Sequence, residues 1–339
     1  MAKSVFTRRN ALKLAAFGGA AAAVGLGKPA ILRAQNYPSR PINVIVPFAT
    51  GGYNDRLARA SAPFLEKELG QPLVIVNQPG GNTILGHSYF LQQKNDGHSI
   101  LCTSASPYIP LSILLYNAPY KAEDFWMINL PSRDITLAAT ATDKPIDSFA
   151  QVLETLKKDP GSLSLGVQPA SGDYVNMMLA VQAAGIDRNA LRIVTYDGGG
   201  PARNATAGGH VDVGFVGGEG FLPLKDKIKP LAAFSAEPMK GFENAPTITQ
   251  IGQQAGFQAE FVDGSQRGWA VSTALKNDQP EIYQTLAGAI ERASKSPEMI
   301  KTLEGQELAT TWYGPEASNE AYMASFATLE KHIALLKGS

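Results

Sequence analysis

The chain has 339 residues, 30 Lys and Arg against 30 Asp and Glu, 44% hydrophobic residues and 18% charged ones. That balance excludes an intrinsically disordered chain, a membrane-embedded one, and a polyelectrolyte that holds nucleic acid by charge, so no nucleic-acid partner is expected. It suits one large or two ordinary globular domains, and 33 Gly with 22 Pro call for many turns between short elements, as in α/β folds.

Residues 1–34 read as a targeting segment. They contain no acid and carry Lys3, Arg8, Arg9, Lys13, Lys28 and Arg33 around a weakly apolar run from Ala11 to Gly27. Thr7-Arg8-Arg9-Asn10-Ala11-Leu12-Lys13 resembles a twin-arginine export signal, with Ala11 where a bulky apolar residue is usual. Cleavage near Ala34 starts the mature chain at Gln35 and leaves 24 of the 30 basic residues against 30 acidic ones. A mildly acidic periplasmic protein is expected.

From Pro41 onward, short apolar runs alternate with longer amphipathic stretches, which predicts βα repeats on a mostly parallel sheet. Strands are expected at Ile42 to Pro47, Leu73 to Val76 and Ile100 to Cys102, with helices over about 54–69 and 84–95 that stop at Gly70 and Gly97. The architecture then repeats. Ser148-x-x-Gln151 has the form of a capping box opening a helix to about Lys158, followed by strand Leu163 to Val167, helix 173–184, strand Leu191 to Tyr196, helix 200–208 and strand Val211 to Phe215. Helices are expected over about 278–305 and 316–336. Ile135 to Thr140 and Gly268 to Thr273 are apolar and extended, candidates for strands that cross between two lobes. The lobes are then 36–134 plus 264–339, and 135–263, with strand-end loops facing each other over a cleft.

No catalytic constellation is evident, and neither a catalytic residue, a metal nor a cofactor is expected. His87, His98, His210 and His332 are far apart, and no local third ligand completes a metal set with Asp96 or Asp212. No G-x-S-x-G elbow occurs, and Cys102 lies inside an apolar strand. What recurs instead is a small-residue loop after each strand: Phe48-Ala49-Thr50-Gly51-Gly52, Asn77-Gln78-Pro79-Gly80-Gly81-Asn82-Thr83, Thr103-Ser104-Ala105-Ser106, Pro169-Ala170-Ser171-Gly172-Asp173 and Asp197-Gly198-Gly199-Gly200. Each is poor in catalytic groups and rich in exposed amides, which at a helix N-terminus bind anions. One such loop is explained by turn geometry alone. Five at the same end of successive strands point to a shared binding cleft.

These residues resemble the periplasmic solute-binding proteins of tripartite tricarboxylate transporters. The resemblance spans nearly the whole mature chain: Tyr37-Pro38-Ser39-Arg40-Pro41-Ile42, Val46-Pro47-Phe48-Ala49-Thr50-Gly51-Gly52 with Asp55, Leu69-Gly70-Gln71-Pro72, Asn77-Gln78-Pro79-Gly80, Asp96-Gly97-His98, Pro119 to Phe125, Tyr196-Asp197-Gly198-Gly199-Gly200, Gly208-Gly209-His210-Val211-Asp212, Pro246-Thr247 and Arg267-Gly268-Trp269-Ala270. The family usually has Pro at Thr50 and Arg or Lys at Gln78, and a loop richer in Gly at Asn82 and Thr83.

The resemblance implies a two-lobed periplasmic binding fold of type II character, each lobe a mostly parallel sheet flanked by helices, with the ligand between the lobes. It also implies a monomer that captures a small organic acid by hinge closure and hands it to two integral membrane transporter subunits. A ligand carboxylate is placed at Ala49, Thr50, Gly51 and Gly52 beside Phe48, with Asp55 either bracing the helix or pairing with an amine-bearing ligand. Asn82, Thr83, Ser104 and Ser106 line the first lobe; Ser171, Gly172, Asp173, Gly198, Gly199 and Gly200 supply the second wall. Arg267 is expected either to clamp a second carboxylate or to form a salt bridge. Trp269, Tyr108 and Phe48 are expected in the core rather than stacked on a ligand. Two other readings stand beside this one. A sensor presents the same closed cleft to a signalling kinase, and an enzyme on this scaffold needs Glu219, Asp173 and His98 as acid–base groups.

Overall fold

A computed structural model describes residues 37–169, 171–196 and 198–335; the export segment, Ala170 and Asp197 lie outside the described residues. Ten strands form two five-stranded sheets. The first contains β1 (Ile42–Val46), β2 (Leu73–Asn77), β3 (Ser99–Ser106), β4 (Phe125–Asp134) and β10 (Ser265–Ser272) in the order β2-β1-β3-β10-β4. The second contains β5 (Thr136–Ala141), β6 (Ser164–Val167), β7 (Arg192–Thr195), β8 (Val213–Gly217) and β9 (Ile228–Ala233) in the order β7-β6-β8-β5-β9. Each sheet has a parallel βα core and one strand running against the rest, β10 in the first and β5 in the second. Both reversed strands immediately follow a passage of the chain from one sheet to the other.

The central strands are apolar on both faces because helices cover both, whereas the edge strands β2 and β7 are partly exposed. In the first sheet Ile42, Val44, Val46, Ile100, Cys102 and Trp269 pack on α1 (Tyr53–Leu69) and α9 (Pro280–Ser294) through Leu57, Leu65, Leu286 and Ile290. Ile45, Leu101, Met127 and Ala270 pack on the other side against Phe90 of α2 (Ile84–Leu91) and Tyr322 of α11 (Gly314–Lys331). In the second sheet Leu165, Val167, Val213 and Phe215 meet α4 (Phe149–Lys158) and α5 (Gly172–Ala183). The opposite face carries Leu137 and Val216 against Ala202 of α6 (Gly199–Ala207). The remaining helices are α3 (Tyr108–Tyr116), α7 (Ile248–Ala255), α8 (Thr273–Asp278) and α10 (Pro297–Glu304).

Several elements differ from the sequence reading. The run Thr103 to Ser106 is not a loop but the end of β3, paired with β10. Its hydroxyls tolerate burial because each has a partner: Thr103 with His87 at 2.9 Å, Ser104 with Asn54 at 2.9 Å, Ser106 with Ser325. The second helix ends at Leu91 instead of residue 95. Asp96 beyond it accepts hydrogen bonds from Arg40 (3.0 Å) and from the His98 N–H (3.1 Å), so Gly97 belongs to a turn before β3 rather than to a helix stop. Gln151 departs from the capping box: Ser148 accepts from the Gln151 N–H, but the Gln151 side chain accepts from the Asp147 N–H. The expected 278–305 helix is broken by Ser296-Pro297, with Ser296 capping α10. β4, α3, β9, α7 and α8 are additional to the elements read from sequence.

Candidate ligand-binding site

The C-terminal ends of β1 and β3 in one sheet and of β6 and β8 in the other converge. Phe48, after β1, meets the Tyr108 ring edge-on with centroids 5.2 Å apart, and the Tyr108 hydroxyl accepts a hydrogen bond from the Gln168 side chain beyond β6 at 3.2 Å. This contact joins the loops of the two sheets across the cleft.

The first wall is a braced loop. Asp55 accepts from the Gly51 N–H (2.8 Å), from Arg59 Nε (3.0 Å) and from Asn77 Nδ2 (3.0 Å), while Asn77 Nδ2 also donates to the Phe48 carbonyl (3.1 Å). Burial opposes charge on Asp55, but these donors outweigh it and hold the carboxyl below its usual range. Asp55 therefore fixes the loop, and Gly51 and Gly52 direct their N–H groups to Asp55 and to the Ala49 carbonyl rather than outward. The first backbone bond into α1 runs from Arg56 N–H to Gly52 O, and no side chain caps the helix. The first-turn amides of Tyr53, Asn54 and Asp55 are thus the ones without intrahelical partners. Thr50 is exposed on the same loop, with its hydroxyl 3.3 Å from Asn77 Oδ1.

Ser104 joins this wall through Asn54, whereas Ser106 is turned to Ser325 of α11. Asn82 and Thr83 end a run of four residues with left-handed backbone, Gly80 to Thr83, with φ of 51° at Asn82 and 74° at Thr83. For a β-branched residue that conformation costs on the order of 1–3 kcal/mol. Neither residue is hydrogen-bonded to the loop around Gly51.

On the second wall Ser171 caps α5, accepting from the Tyr174 N–H (3.1 Å) and donating to the Gln168 carbonyl (2.7 Å), so its one hydroxyl proton is engaged. Gly198 to Gly200 open α6 with no side-chain cap. Gly199 and Gly220 form a slot for the Arg203 guanidinium: a Cβ on Gly199 would lie 2.9 Å from its Nη1, and one on Gly220 2.3 Å from its Cζ. Burial pulls the Arg203 pKa below its usual value.

The floor of the cleft is a charged network at the junction of the sheets. Arg267 donates to Asp134 (3.3 Å) and Ser132 (3.1 Å), lies over the Tyr53 ring with Cζ 4.6 Å from the centroid, and stands 4.0 Å from Glu219. Its side chain is 17% exposed and that of Asp134 6%, so this is a buried pair, not a surface salt bridge. Asp134 also accepts from the Glu219 N–H at 3.0 Å. Asp173 accepts from the Thr136 hydroxyl. Burial, reinforced by Asp134, pushes Asp173 up to about 6 and Glu219 up to about 7.

Both shifts have the same sign. Between the ordinary carboxylate range and pH ~7 the folded protein keeps protons that the unfolded chain has lost, so stability falls as pH rises through that window. His87 acts oppositely: burial pushes its imidazole down to about 3, and stability rises with pH toward its ordinary value. A Glu219→Gln variant removes the Glu219 share of the first effect and leaves the Asp173 share and the opposing effect of His87. Its stability relative to wild type is expected to rise from about pH 5 to about pH 8 in urea unfolding; a difference independent of pH would contradict the environment assigned to Glu219.

The enzyme constellation does not assemble. Glu219 and Asp173 face the junction, but His98 sits near the start of β3, bonded to the Ser39 N–H and to Asp96. Cys102 is buried with burial pushing its thiol up, and among the described residues no group of three His, Cys, Asp or Glu suits a metal ion. No helix among them is long and apolar enough to cross a membrane. Asn54, Tyr53, Ser132, Asp134 and Arg203 were not legible as site residues. Asp134 ends a strand not recognised as one, and Arg203 carries only its spacing of four from Gly199 as a signal.

The family described as "Tripartite tricarboxylate transporter family receptor" matches residues 57–335. The chain belongs to this family. Among relatives, it is 28% identical to protein BugT of Bordetella pertussis over 298 residues, covering 86% of this chain and 87% of that one. It is 25% identical to a UPF0065 protein in the gbd 5' region of Cupriavidus necator, covering 97% of both. A TctC solute-binding protein from Polaromonas, without ligand, shares the fold with a TM-score of 0.73 at 24% identity, over 88% of this chain and 99% of that one. A Rhodopseudomonas palustris protein solved with adipate gives 0.68 at 22% identity, over 89% and 98%. MatC of the same organism, with bound malate, gives 0.67 at 21%, over 88% and 100%. The α/β architecture of two mixed sheets flanked by helices is thus that of periplasmic solute-binding receptors of this family.

Proposed function

We propose that the protein captures a small organic acid between its lobes and delivers it to membrane transporter subunits. The observation that carries this reading is the convergence of two uncapped helix N-termini, those of α1 and α6, on a cleft joined across by Gln168 and Tyr108. Unpaired first-turn amides and the aligned peptide dipoles favour a carboxylate there. The adipate and malate bound by proteins of this fold support the ligand class.

The lobes in this reading are 36–134 with 264–339, and 135–263. Closure about the crossings at Ile135 and Gly264 is stabilised by contacts a ligand gains only when both walls touch it. The N-terminal 34 residues export the protein by the twin-arginine route to the periplasm, where it acts as a monomer on two membrane subunits. Ala49, Thr50 and the first turn of α1 hold the carboxylate; Gly172, Gly198, Gly199 and Gly200 form the facing wall.

The test is a thermal-shift screen of residues 35–339 against citrate, dicarboxylates, aromatic acids and amino acids. Binding to the folded state alone raises the melting temperature by mass action, by about 2.7 kcal/mol of stabilisation at a hundredfold excess over Kd. At least one acid is expected to do so. Turnover of a bound acid by the purified protein would overturn the receptor reading.

A further inference from the structure

The cleft is polar in two opposite senses. Its loop end presents backbone amides, through the uncapped first turns of α1 and α6. Its floor holds three carboxyl groups, Asp134, Asp173 and Glu219, against two guanidinium groups, Arg203 and Arg267.

Most of these groups are already engaged. Arg267 is held by Asp134, Ser132 and the Tyr53 ring, so it offers little to a second ligand carboxylate. Arg203 lies in its glycine slot with Nη1 3.4 Å from the Gly217 carbonyl. Asp134 receives Arg267 and the Glu219 N–H; Asp173 receives Thr136. Glu219 is different. Among the described residues its carboxylate has only the Ser132 hydroxyl at 3.4 Å and Arg267 at 4.0 Å, and its side chain is 40% exposed. A carboxylate has about four acceptor positions, so most of the capacity of Glu219 is unfilled.

A second, independent feature lies on the same wall. Asn54, 3% exposed on the first turn of α1, gives Nδ2 to Ser104 and leaves Oδ1 without a partner among the described residues. Ser104 is the strand neighbour of Arg267, which places this unfilled acceptor beside the charged floor.

We infer that the ligand carries a protonated amine as well as a carboxylate, and that Glu219 receives the amine: an amino acid or similar zwitterion in preference to a plain dicarboxylate. This rests on the receptor reading and narrows its ligand class. A second carboxylate at the floor meets three acids against two guanidinium groups, while an ammonium meets an unfilled acceptor.

Calorimetric titration of residues 35–339 with matched pairs tests it: 4-aminobutyrate against glutarate, 5-aminovalerate against adipate, L-aspartate against succinate, and L-glutamate against glutarate. The amine-bearing member of at least one pair is expected to bind about tenfold or more tightly than its partner. Glu219→Gln is expected to remove that preference by weakening the amine-bearing member alone, and Glu219→Asp, which keeps the charge, to retain it. Equal weakening of both members by Glu219→Gln would make the residue structural and overturn the inference. Tighter binding of the dicarboxylates by wild type would overturn it too while leaving the organic-acid receptor intact. Failure of every compound to bind would remove both.

Discussion

Alanine at Gly264 is expected to prevent the protein from reaching its native fold. Gly264 is buried where the chain returns from the second sheet to the first, and its neighbour Ser265 pairs with Asp134 at the end of β4. A Cβ at Gly264 would lie 1.2 Å from the Asp134 carbonyl oxygen and 2.3 Å from its carbon. Backbone cannot yield as a flexible side chain does. Relief requires separating the two passages that join the lobes, and with them the Asp134 contacts to Arg267 and Glu219. We expect insoluble expression, or a loss above about 4 kcal/mol if protein is recovered. Gly161→Ala is the control, since its new Cβ meets nothing nearer than the Ala190 carbonyl at 3.5 Å, and a change within about 0.5 kcal/mol is expected. Soluble Gly264→Ala protein melting with wild type would contradict the crossing geometry.

Arg267→Ala is expected to cost about 3–5 kcal/mol in urea unfolding, because it strands a buried carboxylate at Asp134. The loss comes less from the ion pair's own strength than from the charge left behind. Adding Asp134→Asn should therefore recover part of the stability, because an amide tolerates burial beside Ser132 and the Glu219 N–H without a counter-charge. A double variant no more stable than Arg267→Ala would show that the guanidinium acts by packing on Tyr53 instead.

These two residues also mark where the sequence was informative and where it was not. The parallel strands were legible because Ile42 to Val46, apolar but for Asn43 and largely buried, and Leu73 to Val76 are short apolar runs between turn residues. Gly70 was legible as a helix stop because its left-handed φ of 68° suits glycine. β3 was read too short, since Thr103, Ser104 and Ser106 look like loop residues until the partners that satisfy their hydroxyls are known. Those partners, His87, Asn54 and Ser325, are up to 219 residues away.

The candidate site divides in the same way. Gly-rich loops at strand ends announce free amides locally, so both uncapped helices could be foreseen. What occupies those amides could not, because it depends on side chains brought in from elsewhere. Asp55 reaches back to Gly51, and Ser171 uses its hydroxyl on its own turn. Arg267 was visible as a cation near a crossing strand, but its pairing with Asp134 spans 133 residues. Glu219 was named only as an acid–base group for an enzyme on this scaffold.

The central claim is that a carboxylate sits at the first turn of α1 inside the cleft, and Thr50→Asp tests it most directly. Thr50 is exposed, and an acid beside a helix N-terminus stabilises the helix by about 0.3–1 kcal/mol, so the ligand-free variant should melt at or above wild type. The same acid competes for the amides and repels a bound carboxylate. Titrating the best organic acid from the screen into both proteins should show a loss of affinity of about tenfold or more in Thr50→Asp. Equal affinity in the two proteins would place the carboxylate elsewhere and contradict the account.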